Sequence, residues 1–175
     1  VSIEHAARQL RRRFLAHFSR LRGVSSVFLG HHLDDFCETM LFQLARGTQL
    51  GTLGILPKSV LSPDVFMIRP LLSATKLDIL AYLSDINASF VVDESNDDAG
   101  YDRNKIRHRV MPVFETVNAQ FRAHFLSFAQ QHLAQTRYLL APLKPLVQRQ
   151  ETPEGICVFV SRSAFLALDS FLQLF

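Results

Sequence analysis

Cysteine is nearly absent from the chain: Cys37 and Cys157 stand far apart, and no C-x-x-C pair is present. That excludes a disulfide framework and a cysteine-built structural zinc site, and it makes a reducing cytoplasm the expected compartment. Long hydrophobic runs are missing as well. Polar or charged groups interrupt every apolar stretch well short of the ~20 residues that span a bilayer, and no signal-peptide pattern opens the residues, so neither a membrane nor export is expected. Seven glycines and seven prolines in 175 residues are too few for a collagen-like or low-complexity chain. The 48% hydrophobic content and mean hydropathy of +0.11 are too high for a disordered one. What is left is the length of one ordinary domain or two small ones, folded around a core. Acidic residues are scarce at the start, where residues 1–22 set six arginines against Glu4 alone. Farther on, Arg103, Lys105, Arg107 and Arg109 face Asp102, and the acidic run Asp93, Glu94, Asp97, Asp98 lies between the two stretches. The net charge of +3 hides this segregation. It fits a phosphate-rich partner such as RNA or a nucleotide, or a solvated, salt-bridged surface.

Periodicity supplies the expected elements. Ile3, Ala7, Leu10, Phe14, Phe18 and Leu21 recur at helical spacing, with Arg8, Arg11 and Arg12 off the stripe and Gly23 closing the helix. Val24 to Gly30 is short and β-branched or aromatic, as a buried parallel strand would be, and His31-His32 stand at its carboxyl end. Leu33, Phe36, Cys37, Met40, Leu41 and Leu44 mark a second helix ended by Arg46-Gly47. Residues 47–64, rich in Gly and Pro, read as a loop; Val65–Arg69 reads as a strand and the stretch from about Thr75 as a helix. Phe90–Val92 is expected as one more short strand and Asp93–Tyr101 as a polar turn. Phe114 to Leu139 then stripe one long helix, its phenylalanines placed in the core. Pro142, Pro145 and Pro153 separate it from a strand at Ile156–Val160 and a last helix from Ser163. The change from α/β alternation to mostly helix puts a boundary near Val113–Glu115, giving domains 1–114 and 115–175.

Chemistry concentrates at Gly30-His31-His32-Leu33-Asp34-Asp35-Phe36-Cys37-Glu38-Thr39, where a strand hands over to a helix. Ligands of open parallel sheets gather at the carboxyl ends of strands, and a helix N-terminus keeps Asp34 and Asp35 ionised. These residues read either as a cation site or as plain helix-start acids with strand-end polar groups. A second cluster, Asp93-Glu94-Ser95-Asn96 with Tyr101-Asp102-Arg103-Asn104-Lys105-Ile106-Arg107, reads either as a self-neutralising surface loop or as arginine forks for phosphate.

Together with Ser2-x-Glu4-x-x-Ala7-Arg8-x-x-Arg11, Arg46-Gly47 and Ile68-Arg69-Pro70-Leu71-Leu72, these blocks resemble the tRNA(Ile)-lysidine synthetases over residues 2 to about 112. The resemblance implies an α/β fold: the rear half of a parallel-sheet PP-loop domain (N-type ATP pyrophosphatase, adenine nucleotide alpha hydrolase-like), followed by a small, mainly helical domain that grips tRNA. It implies ATP-dependent ligation of free L-lysine to C2 of the wobble cytidine of a tRNA(Ile) with a CAU anticodon, through a cytidine adenylate. Asp35, Arg103 and His32 would then be catalytic. Arg8, Arg11, Asn104 and Arg107 would bind nucleotide or tRNA, and Asp34 with Asp35 would hold Mg²⁺ or the lysine ammonium. A homodimer is compatible with it. The family's Ser-Gly-Gly-x-Asp-Ser phosphate loop is not in these 175 residues and is expected ahead of Val1, so the chain alone is expected to be inactive. A related tRNA thiolase and a non-catalytic RNA-binding piece are the competing readings; Cys37, on the apolar face of its helix, is placed in packing.

Overall fold

The computed structural model of the chain describes residues 3–48, 52–91, 102–152 and 155–167. Helix α1 (Ile3–Arg22) ends at Gly23, whose φ of +62° turns the backbone directly toward strand β1 (Ser26–Phe28). The face of α1 that packs is Arg12, Leu15, Ala16 and Ser19, not the expected apolar stripe: Ser19 is buried, while Leu10, Phe14 and Leu21 are each more than 60% exposed. Arg12 anchors that face by donating from Nη2 to the Val60 carbonyl at 3.3 Å and resting Nη1 on the Met67 sulfur.

Helix α2 (Leu33–Ala45) follows β1, and its buried side, Leu33, Phe36, Cys37 and Met40, forms the centre of the core. Gly54 crosses the Phe36 ring so closely that a Cβ there would collide with it, and Gln43 receives the Gly54 N–H at 2.7 Å. The expected loop at 47–64 contains a strand, β2 (Lys58–Ser62), antiparallel to β3 (Val65–Ile68). Pro57 and Pro63 flank β2 without interrupting it, which explains both the misreading and the tolerance. The sheet order is β1-β3-β2, with β1 and β3 parallel in the register Ser26–Phe66 to Phe28–Ile68. Strand β1 is parallel as expected but not buried: Phe28 is 69% exposed.

Thr75 caps helix α3 (Lys76–Asp85) in a reciprocal box with Asp78. Of the strand expected at Phe90–Val92, the described residues Phe90 and Val91 are exposed and pair with no described strand; Val92 lies outside the described residues, as does the acidic segment Asp93–Asp98. The chain re-enters as one interrupted helix: α4 (Asp102–Lys105), a π-helical turn over Ile106–Val110, and α5 (Met111–Val117). Pro112 explains the wide turn, because its ring and missing N–H oppose a regular α turn against residue 108. The Met111 N–H reaches back to Ile106 O, and Ile106 and Met111, five residues apart, both enter the core. The expected continuous helix from Phe114 is broken at Asn118, and α6 (Phe121–Leu140) starts afresh. Phe114, Phe121 and Phe125 pack ring against ring at 5.2–5.8 Å and serve the core as expected, whereas Phe128 of the same stripe is exposed.

The chain forms two compact units, Val1–Ala129 and Gln130–Phe175, which divide within α6 because Phe121 and Ala129 still belong to the first core. The second unit continues α6 through a 3₁₀ segment (Ala141–Leu146) into an antiparallel hairpin of β4 (Val147–Thr152) and β5 (Gly155–Val160), then the short α7 (Arg162–Leu166). Strand β4 was not expected, and with it this unit is less purely helical than the sequence pattern implies.

Candidate active site

The head of α2 sits at the carboxyl end of β1, and the local sequence dictates its shape. His32 is the N-cap in extended conformation, and its backbone N–H donates to Asp35 Oδ2 at 3.1 Å. The His32 ring lies between the two aspartates, Nδ1 at 3.4 Å from Asp34 Oδ2 and Nε2 at 3.5 Å from Asp35 Oδ2. The Asp34 carboxylate beside it raises the His32 pKa above its ordinary value, outweighing burial. His31 behaves oppositely: burial lowers its pKa in spite of Asp35.

The neighbouring aspartates have different lives. Asp34 Oδ1 accepts from Arg122 Nε at 2.7 Å, and Oδ2 accepts the Lys76 backbone N–H at 2.8 Å. Burial opposes its charge, but the His32 ring, the Lys76 N–H and Arg122 outweigh that and hold the carboxyl well below the usual carboxylate range. Arg122 also donates to Glu115 at 3.0 Å, so Asp34 ties α2 to α3 and α6. Asp35, by contrast, commits Oδ2 to the cap and leaves Oδ1 facing Arg107 Nη2 at 3.9 Å.

The next turn of α2 presents Glu38 and Thr39. Glu38 is 1% exposed and receives a forked pair from Arg107, Nε to Oε1 at 2.6 Å and Nη2 to Oε2 at 3.2 Å. That pairing, led by the Glu38 hydrogen bond, raises the Arg107 pKa. Thr39 donates to the Asp35 carbonyl at 2.8 Å and accepts from Arg103 Nη2 at 2.6 Å. The interrupted helix therefore lays Arg103 and Arg107 along α2 with one fork spent and one largely open. Beside these groups opens a cleft of about 620 Å³, with Asp34, Arg107 and Arg122 at its polar end and Leu77, Leu80 and Met111 on its apolar wall.

Of the residues expected from sequence, His32, Asp34, Asp35, Arg103 and Arg107 meet here. Arg8 and Arg11 lie exposed on α1, and Asn104 lies on α4. Two of these residues already have protein partners. Arg107 is the counterion of buried Glu38, with Nε and Nη2 engaged. Asp34 accepts one protein donor on each of its oxygens. No group of three or more His, Cys, Asp or Glu side chains able to share a metal occurs among the described residues. Arg122, Glu115 and the Lys76 N–H were missed. No spacing rule links Asp34 to a partner 88 positions away.

Residues 1–114 match the family profile of the PP-loop domain. The chain belongs to the PP-loop domain family. Among curated relatives, the tRNA(Ile)-lysidine synthase of Thermosipho africanus is 38% identical over 131 residues, 74% of this chain and 30% of the relative. That of Porphyromonas gingivalis is 33% identical over 163 residues, 93% and 31% of the two chains, and that of Bacillus licheniformis 33% over 172, 96% and 36%. The chain thus spans about a third of the length of the curated relatives it matches. The head of α2 and the interrupted helix both fall within the PP-loop match, apart from the last residues of α5 and the Arg122 and Glu115 braces beyond residue 114. Among the described residues, no helix of this PP-loop protein is long and apolar enough to cross a membrane.

Proposed function

We propose that this PP-loop domain serves the ATP-dependent ligation of lysine to C2 of the wobble cytidine of an isoleucine tRNA with a CAU anticodon. The carrying observation is Asp35, held at a fixed place through Oδ2 by the His32 backbone N–H, with Oδ1 facing Arg107 Nη2 at 3.9 Å and with Arg103 bonded to Thr39 on the next turn of α2. The names of the relatives supply the substrate class. In the first step the cytidine O2 attacks the α-phosphorus of ATP, the bond to pyrophosphate breaks, and pyrophosphate leaves. Arg103, anchored through one nitrogen to Thr39, offers its remaining N–H groups to the negative charge that builds on the adenylate. In the second step a deprotonated lysine amine attacks C2, and the C2–O bond breaks so that AMP leaves with the oxygen; the new C–N bond sheds its proton to solvent. Asp35 Oδ1 draws the lysine ammonium to this place as a point charge suited to carboxylate oxygen. His32 fixes Asp35 rather than touching the reacting atoms. No step is routed through Mg²⁺.

A sulfur-transferring relative would need a reactive thiol. Cys37 is fully buried, and burial pushes its pKa up to about 12, so it does not supply one. The test is incubation with ATP, lysine and tRNA(Ile), followed by mass analysis of the nucleosides. A chain that carries a Ser-Gly-Gly-x-Asp-Ser segment ahead of Val1 is expected to give cytidine plus one lysine less one water, with one AMP for each. The 175 residues by themselves are expected to give none, and turnover by them would overturn the need for that segment. Sulfur incorporation, or RNA binding with no chemistry in the longer chain, would overturn the ligase reading.

A further inference from the structure

Arg69 follows β3 directly, beside Leu29 at the end of β1, so it stands where two parallel strands finish together. The residue is 8% exposed, yet no carboxylate among the described side chains pairs with it. Nη1 donates to the Leu56 carbonyl at 2.8 Å and to Ser59 Oγ at 3.0 Å, both neutral acceptors. Nε is buried with no partner, while Nη2 makes no hydrogen bond to the described residues. A guanidinium is charged at any working pH, and a buried charge without a counterion is costly. The groups around it add to the deficit. Helix α1 leads through the Gly23 turn into β1 and runs antiparallel to it, and Arg12 touches Met67 within β3. Arg8, one turn earlier on the same face, therefore lies toward the strand ends, on the Arg69 side. His31 completes the rim from the end of β1, with a buried Nδ1 that has no partner.

We infer that Arg69, Arg8 and Arg12, with His31 at the rim, form a subsite for a phosphate group at the joint carboxyl end of β1 and β3. Burial and, after it, the two α1 arginines lower the Arg69 pKa. Phosphate suits the site because Nη2 and the α1 guanidinium can share its oxygens, charge-assisted on both sides. Asp35, which acts on His31 from α2, places the subsite next to the candidate active site. The phosphate therefore comes either from the nucleotide or from the tRNA backbone. This deepens the proposed function and rests on it for the source of the phosphate, not for the binding.

The experiment is equilibrium titration of the 175-residue chain with orthophosphate, AMP and a tRNA anticodon stem-loop RNA, with chloride at matched ionic strength as control. Arg8→Gln, Arg69→Gln and Arg69→Lys are compared with the parent chain. Orthophosphate is expected to raise the unfolding midpoint of the parent, and Arg8→Gln and Arg69→Gln are each expected to weaken binding on the order of tenfold or more. Arg69→Lys is expected to recover part of that loss, since it keeps the charge but not the fork. A loss for AMP with RNA unchanged assigns the site to nucleotide phosphate. A loss for RNA, with the slope of log K against log[salt] shallower by roughly 0.7–0.9, assigns it to the tRNA backbone. Arg8 is exposed and, among the described residues, bonds to no other element, so Arg8→Gln decides the matter even if Arg69→Gln unfolds. Phosphate binding by Arg8→Gln equal to that of the parent would overturn the subsite. None of these readouts needs lysidine to form, so failure of the ligase reading leaves them intact.

Discussion

Asp34 and Asp35 are adjacent, identical in type and both in the first turn of α2, yet one is structural and the other is open. The distinction is set by Arg122 and the Lys76 N–H, which converge on Asp34 from elements that the sequence leaves far apart. Asp35→Asn keeps an oxygen to receive the His32 N–H. In a lysidine-forming chain it is expected to lower turnover on the order of 10²–10³-fold with the melting midpoint unchanged. Asp34→Asn is expected to do the reverse in part, destabilising the fold at neutral pH by loss of the Arg122 bond; turnover assays paired with thermal melts separate the two. The pH dependence follows the same contacts. The folded Asp34 pKa is depressed, so its contribution is present above the unfolded carboxylate range and is lost as pH falls below it. The folded His32 pKa is raised, so its contribution is full below pH 6.5 and is lost as pH rises through the folded value. Melting midpoints measured across pH are expected to sag at both ends, with His32→Asn flattening the alkaline side and reducing the acid sag in part, and Asp34→Asn weakening both. The motif around residues 31–39 was legible because its residue types and its strand-to-helix position point to a ligand site. Which aspartate stays open was not, since that depends on contacts across 88 positions.

Local pattern was enough to place most elements, and it misled where a partner rather than a propensity decides. Helices α2 and α3 follow their apolar spacing and caps. Strand β2 hid between two prolines and exists because β3 pairs with it, whereas Phe90 and Val91 have strand-like side chains and pair with no described strand. The π turn at Ile106–Val110 had a visible cause in Pro112 but no visible consequence. It brings Ile106 and Met111 into the core while keeping Arg103 and Arg107 along α2. The Arg107–Glu38 fork is the main brace between these helices, and its members are unequally buried, Glu38 at 1% and Arg107 at 30% of the side chain. Removing Arg107 strands a buried carboxylate, while replacing Glu38 releases an arginine that can reach water. Arg107→Met is therefore expected to cost about 3 kcal/mol at neutral pH, the lower end of the range for breaking a buried pair. Glu38→Gln, which keeps volume and an acceptor, is expected to cost less. Urea unfolding of the two variants measures the asymmetry, and equal costs for the two would mean that the fork contributes packing alone.

At the scale of the whole chain, the same short sheet that gathers the site leaves a large apolar surface outside it. Leu10, Phe14 and Leu21 of α1 are 65%, 64% and 70% exposed, and Phe28 at the end of β1 is 69% exposed. Their helical spacing was plain in the sequence, and the natural expectation was a core face. The chain instead packs α1 through Arg12, Leu15, Ala16 and Ser19, because the Gly23 turn and the contacts of Arg12 with Val60 and Met67 orient that side toward β2 and β3. Exposed large side chains scattered singly are ordinary, but aligned along one helix they make a contiguous patch, and such patches drive association. The stacked pair Phe14 and Phe18, 6.0 Å between ring centres, gives this one an aromatic centre. The 175 residues in isolation are therefore expected to self-associate as concentration rises, in spite of the net charge of +3. Phe14→Ser with Leu21→Ser is expected to suppress that association while changing folding stability by less than about 1 kcal/mol, since both side chains are mostly in water already. Sedimentation velocity over a concentration series, with a urea melt of each protein, reads both quantities. Loss of several kcal/mol in the double variant would show that the stripe is a core face after all. Unchanged association would move the sticky surface away from α1.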